Sequence, residues 1–170
     1  MKICITGHRP DKLWGYNIMT RNYIALKNKF KELLVKYECD ELYDGMALGT
    51  DMVCAMAVIE LRNEGYNIKL HCAIPCKNHS SLWNDGDKML YDSIIKQSDM
   101  VTLVTDSVYT GSYLLKKRNE FMVDNTEQVI AVWNGSASGT SSCINYAKRK
   151  NKPIFIIDPK LFINEVSNYV

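Results

Sequence analysis

Two segments of the chain share a glycine pattern that is typical of phosphate-binding turns. Residues 45–50 have the sequence GMALGT, and residues 135–140 have the sequence GSASGT. Each follows an apolar run and leads directly into a segment with helical spacing. The first glycine permits a positive φ, and the second removes a Cβ where the chain enters the helix. Because a helix N-terminus presents free N–H groups and partial positive charge, the pair can hold two phosphates or one diphosphate.

Glycine is also common in turns that bind nothing, so one such segment alone is weak evidence and the pair carries the hypothesis. Neither segment has the Gly-Lys-Ser/Thr of P-loop ATPases, and neither has the G-x-G-x-x-G of dinucleotide-binding turns. The sequence therefore favours anion binding without ATP hydrolysis of the P-loop kind. The binding residues predicted from these two segments are Gly45, Gly49, Thr50, Asp51, Asn134, Gly135, Ser138, Gly139 and Thr140.

A third segment, GHRP, adds Gly7, His8 and Arg9 where the first apolar run ends. The guanidinium of Arg9 suits a bidentate contact with phosphate or carboxylate. His8 suits a hydrogen bond to a ribose or a position beneath a base, and a surface turn directed by Pro10 is the alternative. Asp51 either complements the dipole of its helix or binds a ribose hydroxyl.

Further candidates come from other parts of the chain. Arg118 lies within a helical segment and is predicted to reach the same pocket. Trp83 and Tyr109, together with Tyr113 and Trp133, can provide a stacking wall for a base. Core packing explains Trp133 equally well, because it closes an apolar run.

Strand-like and helix-like patterns alternate along the chain and place these residues. The predicted strands cover residues 2–6, 40–45, 67–75, 99–105, 128–134 and 152–158. The predicted helices cover residues 17–38, 49–65, 80–98, 112–126, 141–151 and 160–169. Nearly continuous apolar strands are buried on both faces, so we expect an α/β fold: a Rossmann-like three-layer sandwich with a mainly parallel sheet of about six strands. Ligands of such sheets bind beyond the carboxyl ends of the strands, where the glycine segments lie.

Composition limits the classes of partner. The chain has 170 residues, with 21 basic and 19 acidic side chains and a net charge of +2. This balance argues against nucleic acid as a partner. The sequence begins without a signal peptide and has no apolar run long enough for a membrane span, so we expect a cytoplasmic protein. A zinc site at Cys72 and Cys76 is conceivable, but no second ligand pair has matching spacing, and we expect neither metal nor cofactor.

The segments above resemble the YpsA-like branch of the SLOG superfamily, Rossmann-like proteins related to the LOG phosphoribohydrolases and to DprA. The matching segments are ITGHRPDKLWGY, DGMALGTDMVCA, IPCKNHSSLW, KKRNEFMVD and VIAVWNGSASGTSSCINYAKRKNKPIFIIDP. They follow the expected order over nearly the whole chain, which implies one domain over residues 1–170. The resemblance implies a nucleotide or nucleotide-derived ligand, such as an ADP-ribose-like molecule or a cyclic nucleotide signal, and a homo-oligomer.

One departure from the LOG pattern bears on catalysis. In LOG enzymes the last glycine loop, PGG-x-GT, is followed by a glutamate that takes part in glycosidic-bond hydrolysis. Gly135, Gly139 and Thr140 match the loop, but residues 141–144 are SSCI and the glutamate is missing. The resemblance therefore favours a sensor or sequestering protein over an enzyme.

The alternative is an enzyme that cleaves an N-glycosidic bond in the manner of the LOG phosphoribohydrolases. Such an enzyme would take its acid from elsewhere in the chain, and the candidates are Asp44, Asp51 and Glu120.

Overall fold

The computed structural model describes residues 1–167 and alternates strands with helices. The strands are β1 (Lys2–Gly7), β2 (Glu41–Asp44), β3 (Lys69–Ile74), β4 (Met100–Leu103), β5 (Gln128–Val132) and β6 (Ile154–Ile157). The helices are α1 (Arg21–Lys36), α2 (Thr50–Asn63), α3 (Asp85–Gln97), α4 (Tyr113–Asp124), α5 (Gly139–Arg149) and α6 (Pro159–Ser167), and a short 3-10 helix covers Pro10–Lys12. The last residues of the predicted closing helix, 168 and 169, lie outside the described residues.

The six strands form one sheet in the order β4-β3-β2-β1-β5-β6, and every neighbouring pair is parallel. This confirms the predicted Rossmann-like α/β fold. The chain moves outward from β1 to β4 and then returns to pair β5 with the other edge of β1. The connections that follow β1 and β5 therefore diverge, and a crevice opens between the carboxyl ends of these two strands.

Side chains of β1 alternate between the two faces of the sheet and contact different helices. Ile3 and Ile5 belong to a core cluster that includes Phe30 of α1 and Met52 of α2. Cys4 belongs to a second cluster that includes Met122 of α4. Helices thus cover both faces of the sheet, as a buried parallel sheet requires.

Two helices begin later than the sequence pattern predicted, because asparagine side chains organise the preceding turns. Helix α1 begins at Arg21, and Asn17 Oδ1 accepts a hydrogen bond from the N–H of Met19 before it. Helix α3 begins at Asp85, and Asn84 Oδ1 caps it by accepting from the N–H of Asp87 at 2.8 Å. Such local side-chain bonds compete with helix at its first turn.

The described residues lack two features that would point to particular partners. None of the helices within residues 1–167 combines the length and apolar character needed to cross a membrane. Within the same residues, no group of three or more His, Cys, Asp or Glu side chains is placed to hold a metal ion.

Candidate functional site

A cavity of about 580 Å³ opens at the carboxyl edge of the sheet, where β1 and β5 diverge. We call it the switch-point cavity. The loops after β1 and β5, the first turn of α2 and the N-terminal two turns of α4 and α5 form its walls. The predicted binding residues that line it are Gly7, His8, Arg9, Asp51, Arg118, Ser138, Gly139 and Thr140. Residues from four separate segments of the sequence therefore meet at one place.

The start of α5 presents backbone donors to this cavity. Ser138 is the N-cap: its Oγ accepts from the N–H of Ser141 at 3.2 Å, and Ser141 Oγ accepts from the N–H of Ser138 at 2.8 Å. The next two N–H groups, of Gly139 and Thr140, have no acceptor in the described part of the chain. Free N–H groups at a helix start are suited to an anion. A Cβ built on Gly139 would meet only open space, so the approach to these amides is clear.

Arg9 supplies a free positive charge on the cavity wall. Its side chain is exposed, and it forms no hydrogen bond or ion pair with any residue of the described chain. Lys12, which the sequence did not single out, follows in the 3-10 helix and donates to the carbonyl of Ala137 at 3.2 Å. Two cations thus flank the loop that leads into α5, and an anion at its N–H groups would be further stabilised.

His8 connects β1 to the loop after β5 and is not free to bind a ligand through Nε2. That nitrogen lies 2.8 Å from Asn134 Oδ1 and 3.1 Å from the backbone N of Asn134, and the same Oδ1 accepts from the N–H of Ser136 at 3.0 Å. His8 is buried, and burial lowers the pKa of its imidazole. The neutral ring therefore holds the α5 approach in place, and Asn134 contributes to the site through this bond rather than as part of the cavity wall.

The start of α2 differs from the expected second anion site, because groups of the protein occupy it. The N-cap is Gly49, with a φ of 92°. The Thr50 hydroxyl donates to the carbonyl of His8 at 2.9 Å, and the Thr50 N–H points to the same oxygen at 3.4 Å. A Cβ on Gly7 would collide with the Thr50 side chain. The expected pair of open helix starts is thus reduced to one, and Gly45, Gly49 and Thr50 lie outside the cavity wall.

A buried charge cluster lies between α2 and α4. Arg118 Nη1 donates to the carbonyl of Gly45 and lies 3.9 Å from Asp51 Oδ2, which accepts from the N–H of Ala47. Asp44 Oδ1 accepts from the N–H of Met46 at 2.7 Å, whereas its Oδ2 has no partner among the described residues.

Burial governs the ionisation of both carboxyl groups in this cluster. Burial raises the pKa of Asp51, and the Arg118 charge opposes that rise. Burial and the nearby Asp51 carboxylate together raise the pKa of Asp44 well above its usual range. Asp51 is only 4% exposed but lines the switch-point cavity, so a carboxyl able to hold a proton faces the site. Asp44 lies behind the wall, and Glu120 lines it beside Lys116, 3.8 Å away.

A second cavity, of about 720 Å³, lies against the first. We call it the aromatic cavity, because Tyr16, Trp83 and Tyr109 line it. Arg9 and Leu115 line both cavities. The predicted stacking residues are therefore divided: Trp83 and Tyr109 are in the aromatic cavity and Tyr113 is in the switch-point cavity.

Besides Asn134, two predicted residues lie in the loop after β5 but line neither cavity. Trp133 donates from Nε1 to the carbonyl of Ser136 at 2.8 Å, so it shapes the loop rather than a stacking wall. Gly135 adopts a φ of 88°, which the turn requires.

Solved structures with the same fold show which proteins this chain resembles in three dimensions. DprA from Helicobacter pylori matches with a TM-score of 0.63 and 20% identity over 99% of this chain and 72% of the other. DprA from Streptococcus pneumoniae matches with a TM-score of 0.61 and 16% identity, and this chain spans half of its length. The Helicobacter pylori structure is described in terms of a single-stranded DNA binding mode.

The expectation that nucleic acid is excluded as a partner is therefore wrong. A protein of this fold binds single-stranded DNA. Net charge averages over the whole surface, whereas binding depends on local charge, and Arg9, Lys12 and Lys116 all line the switch-point cavity.

Relatives known from sequence match over most of their length. The SPbeta prophage-derived protein YoqJ of Bacillus subtilis is 33% identical over 140 residues, which cover 74% of this chain and 82% of YoqJ. A UPF0398 protein of Macrococcus caseolyticus is 26% identical over 175 residues, which cover 96% of this chain and 94% of that protein. The YpsA family model, described as the YspA SLOG family, matches residues 3–161. The chain therefore belongs to the YpsA SLOG family.

Proposed function

We propose that this protein binds a nucleotide or nucleotide-derived ligand and holds its phosphate in the switch-point cavity. The observation that carries the proposal is the convergence of two unpaired donors on one wall: the N–H groups at the start of α5 and the guanidinium of Arg9. A phosphate accepts hydrogen bonds from both kinds of donor at once. The volume, about 580 Å³, is in the range of small-molecule sites.

The remaining lining residues suit the rest of a nucleotide. Asp51 and Glu120 offer carboxylate oxygens that can accept from ribose hydroxyls. Arg118 Nε donates to Asn119 Oδ1 at 2.9 Å, and this hydrogen bond orients the Arg118 side chain. We infer a role as a sensor or sequestering protein, because α5 continues with Ser141 and Ser142 and carries no acid at its start.

The phosphate can come from a free nucleotide or from a unit of single-stranded DNA. Both present the same group to Arg9 and the α5 amides. The fold of DprA supports including the second source. A test must therefore offer both kinds of ligand to the same protein.

The test is a thermal-shift screen followed by calorimetric titration with AMP, ADP-ribose, cyclic nucleotides and a short oligodeoxythymidine. A ligand that binds the native state raises the unfolding midpoint. Loss of a charge-assisted contact in Arg9→Ala should weaken binding by about 10- to 100-fold. Gly139→Val should block the approach to the α5 amides. Arg21→Ala removes an exposed arginine that lines neither cavity and is the matched control.

Both cavity variants should fold normally, because Arg9 has no partner within the described residues and Gly139 faces open space. Unchanged affinity in both would refute the proposed site. Binding only of the oligonucleotide would identify nucleic acid as the source of the phosphate.

A second candidate is hydrolysis of an N-glycosidic bond, and one observation favours it: Asp51 lines the cavity and burial raises its pKa. A carboxyl that keeps its proton nearer to neutral pH can act as a general acid. Overnight incubation with AMP, followed by chromatography, distinguishes the two candidates. Release of adenine by the wild type and no release by Asp51→Asn would establish hydrolysis of the N-glycosidic bond. Full recovery of AMP would support binding alone.

A further inference from the structure

The aromatic cavity has the character of a site for a flat, uncharged ring. Tyr16 and Tyr109, which line it, are 63% and 49% exposed, and Leu82 beside them is 96% exposed. Exposed aromatic side chains that converge on one concave surface can stack on a base at little cost in ordering. The switch-point cavity, by contrast, is lined by four basic side chains: Arg9, Lys12, Lys116 and Arg118.

Two charged side chains line the aromatic cavity, Arg9 and Asp87, and the Asp87 carboxylate and the His79 ring already form hydrogen bonds within the protein. Asp87 Oδ2 accepts from Asn84 Nδ2 at 2.7 Å. His79 donates from Nε2 to the carbonyl of Met46 at 3.0 Å, and burial lowers the pKa of its imidazole to about 4. The Asp87 carboxylate and the His79 ring therefore keep hydrogen-bond partners when an aromatic ring enters.

The aromatic walls are held in position before any ligand arrives. The ring of Trp83 packs edge-to-face on Tyr91, with centroids 5.5 Å apart, and on His79 at 5.1 Å. Asn78 Oδ1 accepts from the N–H of Tyr109 at 2.6 Å, which ties the loop after β4 to the loop after β3. Walls that are already ordered lose less conformational entropy on binding.

Arg9 lines both cavities, so one ligand that contacts Arg9 can extend into each of them. We propose that the aromatic cavity is the base subsite of the nucleotide site: the base stacks between Trp83 and Tyr109, and its phosphate reaches Arg9 and the start of α5. This inference rests on the proposed function and adds a ligand class to it. The ligand must carry an aromatic base as well as a phosphate, and sugar phosphates without a base fill only half of the site.

The test compares AMP with ribose 5-phosphate, which differ only in the base. Stacking of one base should make AMP bind about 5- to 150-fold more tightly. Trp83→Leu and Tyr109→Ala should each lower the affinity for AMP toward that of ribose 5-phosphate and leave ribose 5-phosphate binding unchanged. Tyr66→Ala, which removes an exposed tyrosine that lines neither cavity, should change neither affinity.

Intrinsic fluorescence gives an independent readout. A base stacked on Trp83 should quench tryptophan emission, and this quenching should be lost in Trp83→Leu. The quenching should also be lost in Trp83→Phe, but this variant keeps an aromatic ring and should still bind AMP, as measured by calorimetry. Tyr109→Ala should fold normally, because the Tyr109 side chain is half exposed and the hydrogen bond to Asn78 is made by the Tyr109 backbone N–H. Loss of affinity in this variant therefore reports on binding and not on misfolding.

The failures of the two proposals differ. Equal affinities for AMP and ribose 5-phosphate, both abolished by Arg9→Ala, would overturn the base subsite and keep the phosphate site. Absence of binding to every phosphate compound would reject both proposals together.

Discussion

Arg118 of α4 donates from Nη1 to the carbonyl oxygen of Gly45, 73 residues earlier in the chain. The contact connects a helix on one face of the sheet to the loop that enters a helix on the other face. A Cβ at position 45 would collide with the guanidinium. Glycine is therefore required there by a distant side chain, and this requirement can be tested separately from any role in ligand binding.

Gly45→Ala should lower the free energy of unfolding by about 1–3 kcal/mol, because the added methyl group displaces the Arg118 guanidinium from its bond. Gly139→Ala is the matched control, since its Cβ meets open space, and it should change stability by less than about 0.5 kcal/mol. Urea unfolding of the three proteins measures both. Equal stabilities for the two variants would show that the Arg118 contact does not constrain position 45.

Arg118→Met should be strongly destabilising at neutral pH. The side chain of Arg118 is 6% exposed and faces Asp51, so its removal leaves a buried carboxylate without compensating charge. Breaking a buried pair in this way costs about 3–5 kcal/mol. The loss should be smaller in an Asp51→Asn background, which a double-mutant cycle in urea measures. Additive losses would mean that Asp51 is not compensated by Arg118. Arg21→Met, at an exposed position, is the control.

Asp44→Asn should stabilise the protein at alkaline pH and have little effect near pH 4. Burial and Asp51 raise the pKa of Asp44 well above its usual range. The native state therefore binds a proton more tightly than the unfolded chain, and stability falls as pH rises from the unfolded pKa through the folded one. Asparagine removes that penalty and keeps an oxygen for the N–H of Met46.

Urea unfolding at pH 4, 6 and 8 measures the effect of Asp44→Asn. The difference between variant and wild type should grow with pH, whereas Asp92→Asn, at an exposed position, should show no such trend. A difference that is constant across this range would rule out a titration of Asp44 within it.

Local pattern was sufficient to predict most of the elements and several residues that line the switch-point cavity. The apolar run at 2–6 became β1, and the helical spacing at 49–65 became α2 (Thr50–Asn63). These features depend on periodicity and burial, which a single sequence contains. Gly139 and Arg9 were likewise found from residue type next to a strand end.

The remainder depends on contacts between distant residues, which periodicity does not encode. The segments at 45–50 and 135–140 have the same glycine pattern, but only the second start is open, because Thr50 bonds to the carbonyl of His8. The strand order and the position of Lys12 beside the loop before α5 could not be predicted for the same reason. Each depends on contacts between segments that are far apart in sequence.

His79→Gln should remove part of the acid sensitivity of folding. Burial lowers the pKa of His79 to about 4, while an unfolded histidine titrates near about 6.5. The unfolded chain thus binds more protons in this window, and the stability present at neutral pH is lost as pH falls from about 6.5 toward 4. At pH 5 this one group should account for about 2 kcal/mol of that loss.

Glutamine cannot titrate but retains a donor for the Met46 carbonyl, to which His79 Nε2 now donates. Between pH 7.5 and pH 5 the unfolding free energy of the wild type, measured in urea, should therefore fall by about 2 kcal/mol more than that of the variant. Parallel curves would show that His79 is not held neutral.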